Sequence, residues 1–300
     1  MDGYRVGENE QNIKKTKESM KLKVAGTLGY EVITPTTFIL NIHALRTPAQ
    51  AVLEENFTVE PYFKFEELAP QHNESRFIRL EVPEPAKVNI SYSAIIDTSF
   101  KQTPCNQLNH VPVAAMDASV LPYLFPSRYC QSDKLYRFAH SKFGKIDNAF
   151  EKVLTLTNWI HDNVEYLSGS TNSQTSAYDT VAELAGVCRD FAHLGITLCR
   201  ALDIPARYFT GYAYQLNPPD FHACFEAFIG NEWIIFDATR LVPLNGLVKI
   251  ATGRDAADAA IASIFGEVNF MGISASCQLA DDNFDPVFYN GNDSHGLTYL

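Results

Sequence analysis

The chain has 300 residues, 46% of them hydrophobic and 12% aromatic, with a formal net charge of −11; this is ample material for packed cores and excludes a disordered or fibrous protein. Without clustered Lys or Arg, the acidity argues against nucleic acid as a partner, and no apolar run is long enough for a membrane span. Neither an apolar signal region nor a paired short Cys/His spacing is visible, so we expect a cytoplasmic protein with no membrane partner, no metal and no cofactor.

Residues 1–19 are polar and aperiodic and read as a disordered leader. From Met20 to about residue 105 the texture changes to runs rich in Val, Ile, Phe and Tyr, among them "MKLKVAGTLGYEV", "TTFILNIHAL" and "KVNISYSAIID", separated by Gly, Pro and Asn. Several strands with no helical period between them predict an all-β sandwich domain over 20–105. The aperiodic stretch 101–117 marks a boundary, and a second unit is expected over 118–268.

That unit opens with a helix after Ser132, ended by Gly144, and a second helix at about 146–164, where Ile146, Phe150, Val153, Ile160 and Val164 share a stripe. After the polar loop "SGSTNSQTS", a short helix at "DTVAELA" takes Asp179 or Thr180 as its cap. A longer helix covers 187–202 and is stopped by Pro205. Three strands follow, "ARYFTGYAY", "FHACFEAFI" and "EWIIFDATR", the last two joined by a Gly230–Asn231 turn. "GRDAADAAIASIFG" reads as helical, and 269–300 as one or two strands and a polar tail. Helices followed by an antiparallel sheet make this an α+β fold.

Two cysteines lie in the stretch "GVCRDFAHLGITLCRALDIP". Cys188 falls in the first turn of the predicted helix, where unpaired N–H groups and the helix dipole stabilise an anion and a thiol becomes a good nucleophile. Cys199 stands three turns later, roughly 16 Å along the axis, at the end that disfavours a thiolate. A nucleophilic thiolate needs an imidazole, and the imidazole needs an orienting acceptor. With Gly230 and Asn231 as the turn, Ile229 faces Glu232, and counting outward sets His222 opposite Thr239 and Cys224 opposite Asp237. His222 and Asp237 are then diagonal neighbours on one face, about 7–8 Å apart at the backbone and closer at the side chains. This face carries His222, Cys224, Glu226, Ile235, Asp237 and Thr239, and is expected to meet the N-terminus of the cysteine helix. The opposite face, Ala223, Phe225, Ala227, Ile229, Ile234, Phe236 and Ala238, is wholly apolar and belongs on a core.

"GVCRDFA", "DFHACFEAF" and "WIIFDATR", in this order, resemble the three motifs of the transglutaminase-like superfamily, papain-like Cys-His-Asp enzymes. The resemblance runs from about Met20 to Phe265, takes in "LPYLFPSRYCQSD" and "GRDAADAA", and is closest to the bacterial branch with a β-rich N-terminal domain before the core. It implies a papain-like core of helices packed on an antiparallel sheet, with Cys188 as nucleophile, His222 as general base and acid, and Asp237 as orienting carboxylate. The sequence departs from animal transglutaminases, in which Trp often follows the cysteine and the histidine. Arg189 and Ala223 stand there instead, and no calcium-binding insertion is seen.

The expected function is thiol-dependent acyl transfer that cleaves a peptide or isopeptide amide, as a cysteine peptidase or amidase. A protein-glutamine γ-glutamyltransferase is the first alternative and a non-catalytic binding module the second; a serine hydrolase drawing on loop 168–176 lacks a G-x-S-x-G elbow. Arg189, Asp190, Trp159 and Arg254 are candidates for substrate contact. Trp159 and Gln174 are also candidates for a second oxyanion donor, although packing and local ion pairs explain these residues as well. The expected partner is a peptide or protein amide, and the sequence leaves the oligomeric state open.

Overall fold

The computed structural model describes residues 18–68, 75–280, 284–291 and 293–299. The expected leader, 1–19, lies outside these residues except for its last two, which open strand β1 (Glu18–Val32). After β1 come β2 (Thr36–Leu40), β3 (Gln50–Glu60), β4 (Phe65–Leu68), β5 (Phe77–Val82) and the long β6 (Ala86–Pro104). Alternation of buried and exposed residues along β2, β5 and β6 shows why these segments are strands, since each presents one apolar face to a core. The helical unit follows, with α1 (Ser132–Phe143), α2 (Ala149–Asn163), the two-residue β7 (Glu165–Tyr166), α3 (Ala177–Glu183), the two-residue β8 (Ala185–Gly186) and α4 (Cys188–Ala201). Strands β9 (Ala206–Ala213), β10 (Phe221–Ile229), β11 (Glu232–Phe236), β12 (Leu247–Gly253), β13 (Ala262–Phe265), β14 (Val268–Leu279) and β15 (His295–Tyr299) complete the chain.

Two antiparallel sheets form the N-terminal layers. One runs β14-β1-β6-β15, with β3 also on β6, and the other runs β13-β2-β5-β4. They share a core in which Tyr30 of β1 meets Phe38 of β2 with ring centroids 5.1 Å apart. β6 continues into the stretch read as a boundary because β15 pairs with it, Leu297 opposite Gln102 and Tyr299 opposite Phe100. The partner comes from the far end of the sequence, so no local pattern announces it. β13 and β14 return to the same two sheets, so strand pairing with the N-terminal region begins at Ala262, ahead of the expected boundary at 268.

The stretch "GRDAADAAIASIFG" is not helical: residues 254–261 form turns and 262–265 form β13. Its aspartates explain the difference. Asp255 accepts the Ala257 N–H at 2.9 Å and the Tyr129 N–H at 2.9 Å, and Asp258 accepts the Arg254 N–H at 3.0 Å. Such local side-chain bonds compete directly with helical ones. The helix caps differ in a similar way. Ser176 and Asp179 form a capping box for α3, Asn148 caps α2 through the Glu151 N–H at 2.9 Å, and Ser132 is already inside α1.

The third sheet, β11-β10-β9-β12, carries the expected hairpin: Ile229 faces Glu232 and Phe225 faces Phe236 across a turn with φ of +59° at Gly230 and +63° at Asn231. The body of α4 lies on the apolar face of this hairpin, not on its polar face. At Gly195 a Cβ would stand 2.4 Å from Cε1 of Phe225, whose ring stacks on Phe236 at 5.6 Å, and Phe150 of α2 touches Phe236 from above. An amphipathic helix buries its stripe where apolar surface is offered, and only its N-terminus passes beyond the face toward His222. Among the described residues no helix is long and apolar enough to cross a membrane.

Gly195→Ala would drive a methyl into the Phe225 ring, whose residue is fully buried. We expect a loss of about 1–3 kcal/mol, read as a lowered midpoint in thermal or denaturant unfolding; an unchanged midpoint would mean that α4 and β10 have room to separate.

Candidate active site

The start of α4 is built by its neighbours. β7 and β8 form a short parallel pair, and Val187 is extended, so the chain turns into the helix at Cys188. Asp190 folds back beneath this turn: one carboxylate oxygen accepts the Val187 N–H at 2.9 Å and the other the Thr171 hydroxyl at 3.1 Å. Glycine is required at 186, where a Cβ would lie 2.7 Å from the Asp190 Cβ. The N–H groups of Cys188 and Arg189 lead the helix, beyond the reach of its i−4 carbonyl ladder. Cys188 is half-buried.

His222 and Asp237 meet as the hairpin register requires, with Nε2 of His222 2.9 Å from Oδ2 of Asp237. The other Asp237 oxygen accepts the Thr239 N–H at 2.9 Å and its hydroxyl at 2.7 Å, an Asx-type turn in "DAT" that sets the carboxylate plane. A carboxylate only accepts, so Nε2 carries a proton. Nδ1 of His222 is buried with no hydrogen-bond partner of its own, and Cys188 is among the groups that act on this imidazole. Burial alone would lower the His222 pKa. The Asp237 charge and its hydrogen bond outweigh burial and hold the imidazole well above its ordinary value. Cys224, two residues along, has its thiol pushed up to about 12 by burial, and burial pushes Cys199 up as well, so neither is a thiolate at neutral pH.

The bacterial transglutaminase N-terminal domain family matches residues 20–119, and the transglutaminase-like superfamily core matches residues 136–238. A solved structure from Cytophaga hutchinsonii, provisionally described as a cysteine protease, is 58% identical; the match covers 94% of this chain and 98% of that one, with a TM-score of 0.92. The chain belongs to the transglutaminase-like superfamily. An uncharacterised Mycobacterium leprae protein is 23% identical over 187 residues, 58% of this chain and 66% of the relative, so the match spans just under two thirds of that protein. The periplasmic domain of TgpA from Pseudomonas aeruginosa, bound to ethylmercury, is 12% identical over 76% of this chain and 92% of its own, with a TM-score of 0.37.

The four residues expected to touch substrate all make contacts within the protein. Asp190 is fully buried in the helix cap just described. Arg189 donates to the carbonyls of Asn172 at 2.9 Å and Thr175 at 2.7 Å and lies over the Tyr129 ring, so it pins loop 168–176 to the helix start. Trp159 packs between α1 and α2, against Phe138, Phe143 and Lys142. Arg254 is bound by both oxygens of Asp258 and lines a cleft of about 440 Å³ whose lining includes none of Cys188, His222 and Asp237. Gln174 turns away to accept a hydrogen bond from Arg128.

His222, Cys224 and Asp237 offer three ligand atoms within 4.8 Å of one another, a grouping that a soft metal ion could use. In the structure the lone pair of Asp237 Oδ2 and the Nε2 position of His222 are committed to each other at 2.9 Å, and Thr239 takes the second oxygen.

Tyr166 was not singled out from the sequence. It is the Cα partner of Gly186, two residues ahead of Cys188, and its hydroxyl is acted on by the Cys188 thiol, the Cys188 backbone and His222. A two-residue strand has no alternation to reveal it; the signal was an aromatic residue directly after a helix end, in "NVEYL".

Asp190→Ala removes the acceptor of the Val187 N–H and of Thr171 together. The expected cost is about 0.5–2 kcal/mol in urea unfolding, with faster proteolysis in loop 168–176; a variant as stable as the parent would contradict the cap.

Proposed function

We propose that this protein is a thiol-dependent acyl-transfer enzyme that cleaves peptide or isopeptide amide bonds through Cys188, His222 and Asp237. The observation that carries the reading is the arrangement of the imidazole: one nitrogen of His222 is held by Asp237, the other is buried without a hydrogen-bond partner, and the helix-start thiol is among the groups that act on the ring. The Cytophaga relative, at 58% identity, supports hydrolysis as the outcome.

The cycle follows from the atoms. The Cys188 sulfur, having given its proton to Nδ1 of His222, adds to the amide carbonyl, and the carbonyl electron pair moves to oxygen. The Cys188 N–H at the head of α4 stabilises that oxyanion. As the adduct collapses, the Nδ1 proton passes to the leaving amine and a thioester remains on Cys188. Asp237 holds the ring through Nε2 and stabilises the imidazolium. Water then gives a proton to His222, adds to the thioester, and the acid departs as the thiol is restored. Cys188 is partly exposed, and Tyr166 and Leu167 beside it are open to solvent, which lets water reach the thioester.

Mass spectrometry of peptide-amide substrates, incubated with and without an added primary amine, tests the outcome. We expect cleaved products that disappear in Cys188→Ala; amine adducts on glutamine side chains would instead establish transfer, and products unchanged in Cys188→Ala would overturn the reading.

The pH profile tests the pair. Because the Asp237 charge raises His222, removing it in Asp237→Asn lowers the proton affinity of the ring. The alkaline limb of activity should then fall at a pH lower by about 1–3 units, whereas an unmoved limb would detach His222 from the proton transfer.

A further inference from the structure

Two stretches of the sequence, "LPYLFPSRYCQSD" and "GRDAADAA", take no part in the chemistry of Cys188. In the fold they come together: Pro122 and Tyr123 of the first and Arg254, Ala257 and Asp258 of the second line one cleft of about 440 Å³. Its remaining wall is the outward face of the β13-β2-β5-β4 sheet. Phe38, Leu40 and Ile78 turn into the core, so Ile39, Asn41 and Phe77 face the other way, with Ser263 opposite Ile39. A cleft of this size, set between two structural units, is the usual setting for a ligand.

The turn that lines the cleft is fixed from behind. The two Asp255 oxygens accept the N–H groups of Tyr129 and Ala257, each at 2.9 Å, and the Ala256 N–H donates to Nε2 of His193 at 3.1 Å. Arg200 of α4 donates to the Arg254 carbonyl at 2.6 Å. Across the cleft, Tyr123 meets Trp233 edge-on with ring centroids 5.3 Å apart. Little ordering is left for a ligand to induce.

The polar groups define what fits. Asn41 is 3% exposed; its Nδ2 donates to the Ala260 carbonyl at 2.8 Å, while its Oδ1 is buried with no hydrogen-bond partner. A buried amide oxygen in that state is costly until a donor reaches it. Among the described residues that line the cleft, Arg254 is the one cation, and its Nε and Nη2 are taken by the two Asp258 oxygens at 2.8 and 3.0 Å. An anion therefore finds no spare positive charge, whereas the Nη1 edge, outside that pair, can still donate to a neutral carbonyl.

We propose that this cleft is a binding site for an uncharged peptide segment, its N–H donating to Asn41 Oδ1, its carbonyl accepting from Arg254, and an apolar side chain lying against Ile39, Phe77 and Tyr123. A peptide group carries one donor and one acceptor, the complement of what Asn41 and Arg254 offer. The site is separate from Cys188, His222 and Asp237, none of which lines it.

The probe is acetyl-alanyl-phenylalanyl-alaninamide, titrated into the full chain carrying Cys188→Ala, so that nothing is cleaved and the result does not depend on the acyl-transfer reading. We expect a saturable shift of the Asn41 side-chain amide in nitrogen–proton correlation NMR. Ala257→Trp fills the cleft from an exposed position, and Ser263→Trp fills it from the opposite wall, so a folding failure in one leaves the other to decide. Each should weaken binding by about 10-fold or more, with the melting temperature close to the parent's. Absence of a saturable shift, or binding that persists in the plugged variants, would overturn the proposal. Tighter binding of the free-acid peptide or of inorganic phosphate would make this an anion site and overturn it as well.

Discussion

The close approach of α4 to the hairpin is the constraint on which the site depends. Gly195 has no side chain, and Phe225 fills the space that one would take. This seats the helix on the apolar face formed by Phe225, Phe236, Ala227 and Ile234, all buried. With the body of α4 held there, its N-terminus projects toward the start of β10, where His222 waits with its unpartnered Nδ1. Helix position is thus a packing decision, and the chemistry inherits it.

The polar face of the same hairpin is sealed rather than open. Glu226 is fully buried between Arg207 and Lys249, and Lys249 lies under the Tyr299 ring of the C-terminal strand. Burial raises the Glu226 carboxyl, but its two cations more than offset this and hold it below its usual range. Such a cluster contributes little net stability, yet leaves a costly unpaired charge when one member is lost. Its consequence for the site is geometric: the ion cluster occupies the Glu226 end of the face, and His222 with Asp237 stands at the other end.

The hairpin and the helix start were legible in the sequence because both depend on local rules. Gly230–Asn231 specifies a two-residue turn, and period-two counting then places His222 and Asp237 on one face. Gly186 and the helical period distinguish Cys188 from Cys199 in the same way. What was hidden depends on partners distant in sequence: β15 completing β6, β13 joining β2, and Tyr166 positioned by a two-residue bridge. Charged residues misled for a related reason. Arg189 and Asp190, next to the proposed nucleophile, look available for substrate, whereas in the structure Arg189 binds the loop and Asp190 the helix cap. In "GRDAADAA" the aspartates serve as backbone acceptors, which turns a helical composition into turns.

The central claim is that one thiol of six is made nucleophilic by its place at the head of α4 and by His222. Limited alkylation with iodoacetamide at neutral pH, followed by mass spectrometry of each cysteine, measures this directly. The account predicts that Cys188 is modified well ahead of Cys105, which is half-buried like it, and that His222→Ala removes its lead. Equal rates for Cys188 and Cys105, or a lead that survives the loss of His222, would contradict it.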